Sequence, residues 1–339
     1  MNLKSILGLV IIFVFTACTP QEKLQKFAGL TQGTSYHVTV WVPGGGNIEQ
    51  LKSLVDQELA RIDKLLSNYR DDSVLELFNR QQHTDPVKVG EEIVQLLRKA
   101  EKVSIATQGC YDLTSKPLFA LWGFNGDNPA MPDPAELQRL KQRIGFDKIE
   151  IIDNQHIRKR EPGIEIDISS IAQGYSVARI GRLLEQQGIE NYLVEIGGEL
   201  ETKGSKPGGQ PWRVAIERPL PGARKLQKII TIKQKQVLAV MTSGTYRHYF
   251  DEQGRRYSHI LDARTAMPVT HQTVSVTVLH DDATQADAWS TALLCLGREQ
   301  GIKTAEQAGI AALFLEQVND DLVEYSSQPW QQLKNVDIQ

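Results

Sequence analysis

The segment Ile164 to Arg182, IEIDISSIAQGYSVARIGR, holds two periodicities back to back. Ile164, Ile166 and Ile168 alternate with Glu165 and Asp167, the period of a strand with one buried face. From Ile171 the apolar side chains recur at helical spacing through Tyr175, Ala178 and Leu183. Ser169 and Ser170 lie between, with hydroxyls of the kind that cap a helix start. A chain patterned this way must deliver a strand end to a helix start, with Asp167 at the junction. The free N–H groups and partial positive charge of a helix start suit a bound phosphate. Local chemistry alone favours a plainer reading, in which Asp167 and the serines only cap the helix.

The remaining elements alternate irregularly. Helical spacing predicts helices over Ile48–Leu66, from a Ser73 cap to Asn79, over Glu91–Thr107, from Asp133-Pro134 to about Ile144, over Ala283–Leu296 and over Glu299–Ala308. Strands are expected at Tyr36–Val42, at Ile149–Ile152 paired with His156–Arg160, and at Asn191–Ile196 and Trp212–Glu217. Further strands are expected at Lys228–Lys233, Val237–Thr242, Tyr246–Phe250 paired with Arg256–Leu261, Thr273–Leu279, Ile310–Leu315 and Leu322–Tyr325. Helices mixed with meanders point to an α+β fold of mixed or antiparallel sheets with packed helices. No GxGxxG follows a first strand and no GxxxxGK[ST] occurs, so neither a Rossmann site nor a P-loop is supported.

A formal charge of −3 over 339 residues, with no long basic run, gives no support to nucleic-acid binding. Lys4, the apolar run Ile6–Phe15 and Thr16-Ala17-Cys18 compose a secretory signal too short for an ordinary membrane span. Phe15-Thr16-Ala17-Cys18 also resembles a bacterial lipobox, with Cys18 lipidated after cleavage. Residues 1–17 are then a signal peptide, 18–30 a lipid-anchored tether and 31–339 the functional domain. The expected location is the periplasmic side of the inner membrane, with Thr19 leaving the leaflet open. Of the three cysteines, lipidation uses Cys18. Cys110 and Cys295 are expected as two unpaired buried thiols, although an oxidising compartment would let them pair. Without CxxC, HExxH or a His/Cys cluster, zinc and iron are not expected.

Three further stretches carry chemistry. On a helix, Asp287, Ser290 and Thr291 share a face and offer one carboxylate and two hydroxyls, hard donors of the sort Mg²⁺ takes. The plainer reading is an acid near a helix N-terminus, and spacing alone favours it. Alternation through Tyr257-Ser258-His259-Ile260-Leu261-Asp262 puts Ser258, Ile260 and Asp262 on one face and His259 on the other, where a histidine is ordinarily a satisfied core residue. Thr242-Ser243-Gly244-Thr245-Tyr246-Arg247 reads as a turn whose N–H groups and hydroxyls can cradle a phosphate, though such a stretch is more often only a turn.

Taken in order, these stretches resemble the FAD:protein FMN transferases of the ApbE type. The resemblance also rests on Gly33-Thr34-Ser35-Tyr36, Tyr69 with Asp72-Ser73 and Phe78-Asn79, Tyr111-Asp112 with Pro117-Leu118 and Leu121-Trp122-Gly123-Phe124, and Ile196-Gly197-Gly198. It spans nearly the whole chain after Cys18. It implies that FMN moves from FAD to a Ser or Thr hydroxyl of a target protein, such as a respiratory flavoprotein subunit, with release of AMP and with Mg²⁺, or in its place Mn²⁺, as cofactor. It further implies that Gln32, Tyr69, Cys110, Tyr111, Asp112, Asp167, Gln173 and Ile260 contact FAD. Ser170, Asp287, Ser290 and Thr291 would hold the metal, and His259 would serve as base or orienter. Arg247 is a candidate for countering phosphate charge. An FAD pyrophosphatase and a non-catalytic FAD-binding lipoprotein remain alternatives. The chain departs from the family pattern at Ala263 and Ala266, where Pro and Gly are common, at Glu199, where Asp or Asn is usual, at Ser290, where some relatives carry Asp, and at Gln32, which replaces a common Met.

Overall fold

Eight strands, met in chain order, lie side by side in a single antiparallel sheet. They are Gln25–Thr31, Thr34–Val40, Tyr192–Ile196, Glu199–Lys203, Leu238–Gly244, Thr273–His280, Ala311–Val318 and Asp321–Ser326. The computed structural model describes residues 24–42, 46–126, 129–220, 225–246, 249–252, 255–319 and 321–339. Cys18, the signal segment and Arg247 lie outside the described residues.

The central strands are buried on both faces, and their alternation divides the interior into two cores. Ala239 and Met241 of the Leu238–Gly244 strand face the helices, together with Val276 and Val278 of its neighbour. Leu238 and Val240 face the other way, onto Trp212, Ile230 and Ile232 of a three-stranded sheet formed by Trp212–Glu217, Leu226–Ile232 and Val336–Ile338. The order of layers is therefore helices, eight-stranded sheet, three-stranded sheet. On the helical side the Ser169–Gln186 helix packs against the Ala283–Ala308 helix, and the latter lies across the strands Leu238–Gly244 and Thr273–His280. This is the expected α+β arrangement.

Several elements match their sequence signals closely. The Ile48–Leu66 helix is capped by Asn47, whose side chain accepts from Gln50 N–H at 3.0 Å. Ser73 caps Val74–Asn79, and Asp133 caps Pro134–Lys141, three residues shorter than expected. Other elements differ. Gln25–Thr31, read as tether up to residue 30, is an edge strand that pairs with Thr34–Val40 through a tight turn at Gln32-Gly33. Its exposure alternates at every position between half-buried and exposed, but the residue types do not follow (Leu30 is 86% exposed, while Gln25 and Gly29 are half-buried), so no binary pattern in the sequence marks it. The two helices expected at the C-terminal end run together as Ala283–Ala308, with a break at Gly297 where φ is 70° and ψ is −178°. Thr242-Ser243-Gly244, expected to open a turn, is the end of a strand. The alternation over Arg256–Leu261 is interrupted: Arg255–Ser258 is a strand, and His259 and Ile260 step out of the ladder. Ala266, where the resemblance leads one to expect glycine, adopts φ 62° and passes its carbonyl to Trp122 Nε1 at 3.0 Å. Among the described residues, no helix is long and apolar enough to cross a membrane.

Candidate functional site

Ile164–Ile168 is not a strand. The three isoleucines are buried as the alternation requires, at 1%, 0% and 2% exposure, but no neighbouring strand pairs with the segment. Asn79 takes the place of a ladder partner: its Nδ2 donates to Ile166 O at 2.9 Å and its Oδ1 accepts from Ile166 N at 2.8 Å. Asp167 N donates to Leu113 O at 2.7 Å. The backbone is thus satisfied without a sheet, which periodicity cannot reveal. The helix begins at Ser169 without a serine cap. Asp167 itself does that work, its Oδ1 accepting from Ser169 N at 2.7 Å and from Asn68 Nδ2 at 2.7 Å. Ser170 is left facing inward, its hydroxyl donating to Tyr111 OH at 3.1 Å.

This junction forms one wall of a cavity of about 1270 Å³. The opposite wall comes from the Ala283–Ala308 helix, which presents Asp287 and Thr291. Asp287 is buried, and its Oδ2 accepts from Gly174 N at 2.8 Å. Burial pushes its carboxyl up to about 7, against the Gly174 N–H that favours the charged form. Thr291 Oγ1 meets Ser243 Oγ at 2.8 Å. Ser290 does not reach the cavity. Its hydroxyl is fully buried, donates to Asp287 O at 2.8 Å and meets Ser243 Oγ at 2.8 Å. Helical spacing groups the three residues, but it does not report that the second of them turns toward the sheet. Ser243, at the strand end, is the residue that braces both hydroxyls.

Cys110 and Cys295, expected as free thiols, are joined in a disulfide across 185 residues, with Cα atoms 6.1 Å apart. They converge because the loop after Glu91–Ala106 meets the helix bearing Thr291, a tertiary contact that no local pattern encodes. Cys110, Asp262 and Cys295 are the one group of Cys, His, Asp and Glu side chains, among the described residues, close enough to hold a metal, and the disulfide occupies both sulfurs. Tyr111 is buried beside this bond, and desolvation holds its phenol well above the usual tyrosine range. Asp112 lines the same wall, but its carboxylate is already engaged. Oδ1 accepts from Thr114 N and Oγ1 at 2.8 and 2.7 Å, and Oδ2 from Phe146 N at 2.7 Å. Asp112 is therefore an anchor of the wall, raised in pKa chiefly by burial.

Two acceptors of cavity-wall residues have no partner among the described residues. Gln32 spends its Nε2 on Ser176 Oγ at 2.6 Å and Asn68 spends its Nδ2 on Asp167, yet Gln32 Oε1 and Asn68 Oδ1 are buried and unbonded. A ligand carrying N–H donors would satisfy them. Tyr69 stands at the mouth, 84% exposed. Gln173 closes on Gly197, where φ is 62° and an added Cβ would lie 2.6 Å from Gln173 Nε2. His259 and Ile260 complete the lining, the histidine half-buried and the isoleucine buried. The residues drawn from distant parts of the sequence, Gln32 to Thr291, thus meet at one cavity, with Ser290 behind it. Asn68, Ser243 and Cys295 belong to the site without a sequence signal that marks them as site residues. Asn68 and Ser243 lie inside stretches that sequence had marked as a polar loop and a hydroxyl-rich turn.

The ApbE family model matches residues 32–314. The chain belongs to the ApbE family. It is 34% identical over 325 residues to the FAD:protein FMN transferase of Vibrio cholerae serotype O1, covering 95% of this chain and 96% of that one. It is 34% identical over 302 residues to the FAD:protein FMN transferase of Salmonella typhimurium, covering 88% and 85%. The flavin transferase ApbE structure from Vibrio cholerae superposes with a TM-score of 0.83 at 34% identity, covering 92% of this chain and all of that one. The apo flavinyl transferase ApbE of Pseudomonas stutzeri gives 0.83 at 36% identity, covering 92% and 97%.

Proposed function

We propose that this ApbE-family chain is a Mg²⁺-dependent FAD:protein FMN transferase, acting on a Ser or Thr hydroxyl of a target flavoprotein. The observation that carries this reading is the pairing, in one cavity, of two buried acceptors without a partner among the described residues with a buried carboxyl, Asp287, beside the Thr291 hydroxyl. FAD fits the first feature, because its flavin and adenine carry N–H donors. A divalent cation fits the second, because Asp287 and the Thr291 hydroxyl are hard oxygen donors. The volume exceeds the roughly 300–1,000 Å³ of ordinary ligand pockets, leaving room for a dinucleotide and an incoming side chain.

In the transfer, the acceptor hydroxyl oxygen attacks the flavin-side phosphorus of FAD. A new P–O bond forms, the pyrophosphate P–O bond breaks, and AMP leaves with the electron pair. A cation held by Asp287 and Thr291, with Ser170 on the facing wall, supplies charge neutralisation when bound. The remaining contributions come from positioning. Asp167, held by Asn68 and the Ser169 N–H, fixes the helix start beside the pyrophosphate. Tyr69 covers the mouth, and Gln32, Gln173 and Ile260 hold the flavin and its attached chain. His259 is the group assigned to receive the hydroxyl proton. Mn²⁺ is an acceptable substitute on the same donor chemistry. The N-terminal segment supports a Cys18 lipid anchor that keeps the enzyme on the periplasmic face of the inner membrane, near flavoprotein subunits of respiratory complexes.

The deciding experiment incubates the soluble chain with FAD, Mg²⁺ and a candidate acceptor protein. Flavin fluorescence that stays on the acceptor through denaturing electrophoresis, with one AMP per flavin, is the expected result. FMN and AMP without a labelled acceptor would make the chain a pyrophosphatase instead.

A further inference from the structure

The disulfide between Cys110 and Cys295 stands where three segments of the cavity wall meet. Cys110 directly precedes Tyr111 and Asp112. Cys295 lies one helical turn beyond Thr291 and two beyond Asp287, on the same side of that helix. Ala263 N donates to Cys110 O at 3.3 Å, and Cys295 Sγ lies 3.8 Å from Leu261 O, so the stretch after His259 and Ile260 is seated on the bond as well. Two residues past Cys295 the helix breaks at Gly297. The crosslink therefore fastens the last turn before the break to the Tyr111 loop. Both cysteines are buried, at 1% and 4% exposure, and both line the cavity. The disulfide is therefore part of the wall around the space proposed for the substrate.

We propose that Cys110–Cys295 is a redox-dependent clasp on the flavin pocket, coupled to FAD binding in both directions. The proposal rests on the flavin reading of the cavity. In the disulfide form the clasp holds the Tyr111 loop against the Asp287–Thr291 helix. A dithiol reductant breaks it by thiolate attack on one sulfur, giving a mixed disulfide. The second thiolate of the reductant then closes its own ring. Two electrons and two protons pass to the protein, leaving two cysteine thiols and an oxidised dithiol. The freed walls separate and FAD binds less tightly. Because binding equilibria are reciprocal, bound FAD stabilises the disulfide by the same factor, and by filling the cavity it also keeps the reductant out.

The test uses the soluble oxidised chain under anaerobic conditions. Reduction by dithiothreitol is followed by maleimide tagging of the released thiols, with and without saturating FAD and Mg²⁺. Protection of at least tenfold by FAD is expected. In parallel, FAD affinity is measured by flavin fluorescence for the oxidised chain, the reduced chain and the Cys110→Ala/Cys295→Ala double variant. The reduced chain should bind at least tenfold more weakly, regain its affinity on reoxidation, and show a raised KM for FAD with an unchanged KM for the acceptor. The double variant should behave like the reduced chain and ignore dithiothreitol. Should that variant fail to fold, the oxidised, reduced and reoxidised natural chain decides alone. Equal affinity in both thiol states, or reduction at the same rate with FAD bound, overturns the clasp. An oxidised chain that binds no FAD overturns the flavin reading itself, a different outcome.

Discussion

The backbone N–H of Gly174 donates to Asp287 Oδ2 over 2.8 Å, and the absence of a side chain at 174 is what permits it. A Cβ there would lie 2.3 Å from Ala283 O and 2.6 Å from Asp287 Cβ. The obstacle on one side is backbone, which cannot rotate away. Gly174→Ala must therefore push the two site-bearing helices apart. A cost of about 1–3 kcal/mol is expected for such overpacking. The melting temperature should fall by several degrees, and the Mg²⁺ concentration for half-maximal transfer should rise. A variant with the natural melting point and the natural Mg²⁺ curve would show that the close approach does not set Asp287.

Ser290 and Thr291 both touch Ser243, but only Thr291 lines the cavity. Thr291→Val keeps the shape and removes the hydroxyl, and should lower transfer at limiting Mg²⁺ by tenfold or more. Ser290→Ala should leave the Mg²⁺ dependence in place and instead cost about 1–2 kcal/mol of stability, because Ser243 loses a buried partner. Mg²⁺ titrations and thermal melts of both variants separate the roles. The reverse pattern would move Ser290 into the cation's shell.

Asn68, on the cavity wall, holds Asp167 through one amide hydrogen, and its buried Oδ1 has no partner among the described residues. Asn68→Ala frees the carboxylate and removes an acceptor. FAD should bind about tenfold more weakly, a loss of about 1.4 kcal/mol, while kcat at saturating FAD changes less. Flavin fluorescence titration measures the first and steady-state kinetics the second. An unaltered FAD affinity would leave Asn68 as a purely structural brace.

Much of this architecture is legible in the chain. The helices with strong 3.6-residue periodicity and side-chain caps, Ile48–Leu66 and Val74–Asn79, fall where their residues place them, because local propensity, cap and burial agree there. The failures have a common physical cause. Ile164–Ile168 has strand alternation because a buried extended segment and a sheet strand obey the same side-chain geometry, and only the hydrogen-bond partner differs. Here that partner is the side chain of Asn79. The Cys110–Cys295 bond, the placement of Ser290 behind the cavity and the engagement of Asp112 by Phe146 are all set by contacts between distant segments. The edge strand Gln25–Thr31 is held by pairing with Thr34–Val40, and its own residues carry little pattern. The candidate site residues rest on the order of their motifs along the chain. Spacing by itself left Asp167 and Asp287 as ordinary helix-start acids.

Glu201 offers a test of the sheet beneath the site. It lies in the Glu199–Lys203 strand, buried, with its Oε1 accepting from Tyr192 OH at 3.0 Å. Burial, with Glu185 nearby, pushes its carboxyl up from 4.5 to about 7. In the unfolded chain the group returns to the ordinary range. Below pH 4.5 both states are protonated and no penalty applies. Between 4.5 and 7 the unfolded chain gives up its proton first, so the folded state loses stability as pH rises. Above 7 the full penalty stands, of order 3 kcal/mol. Glu201→Gln keeps an acceptor for Tyr192 and removes the titration. Its stability relative to the natural chain should therefore improve steadily from pH 5 to pH 8, by several degrees in melting temperature. Comparing the two proteins at each pH cancels the other titrating groups. A difference in melting temperature that stays constant across this range would mean that Glu201 is already ionised in the fold at pH 5.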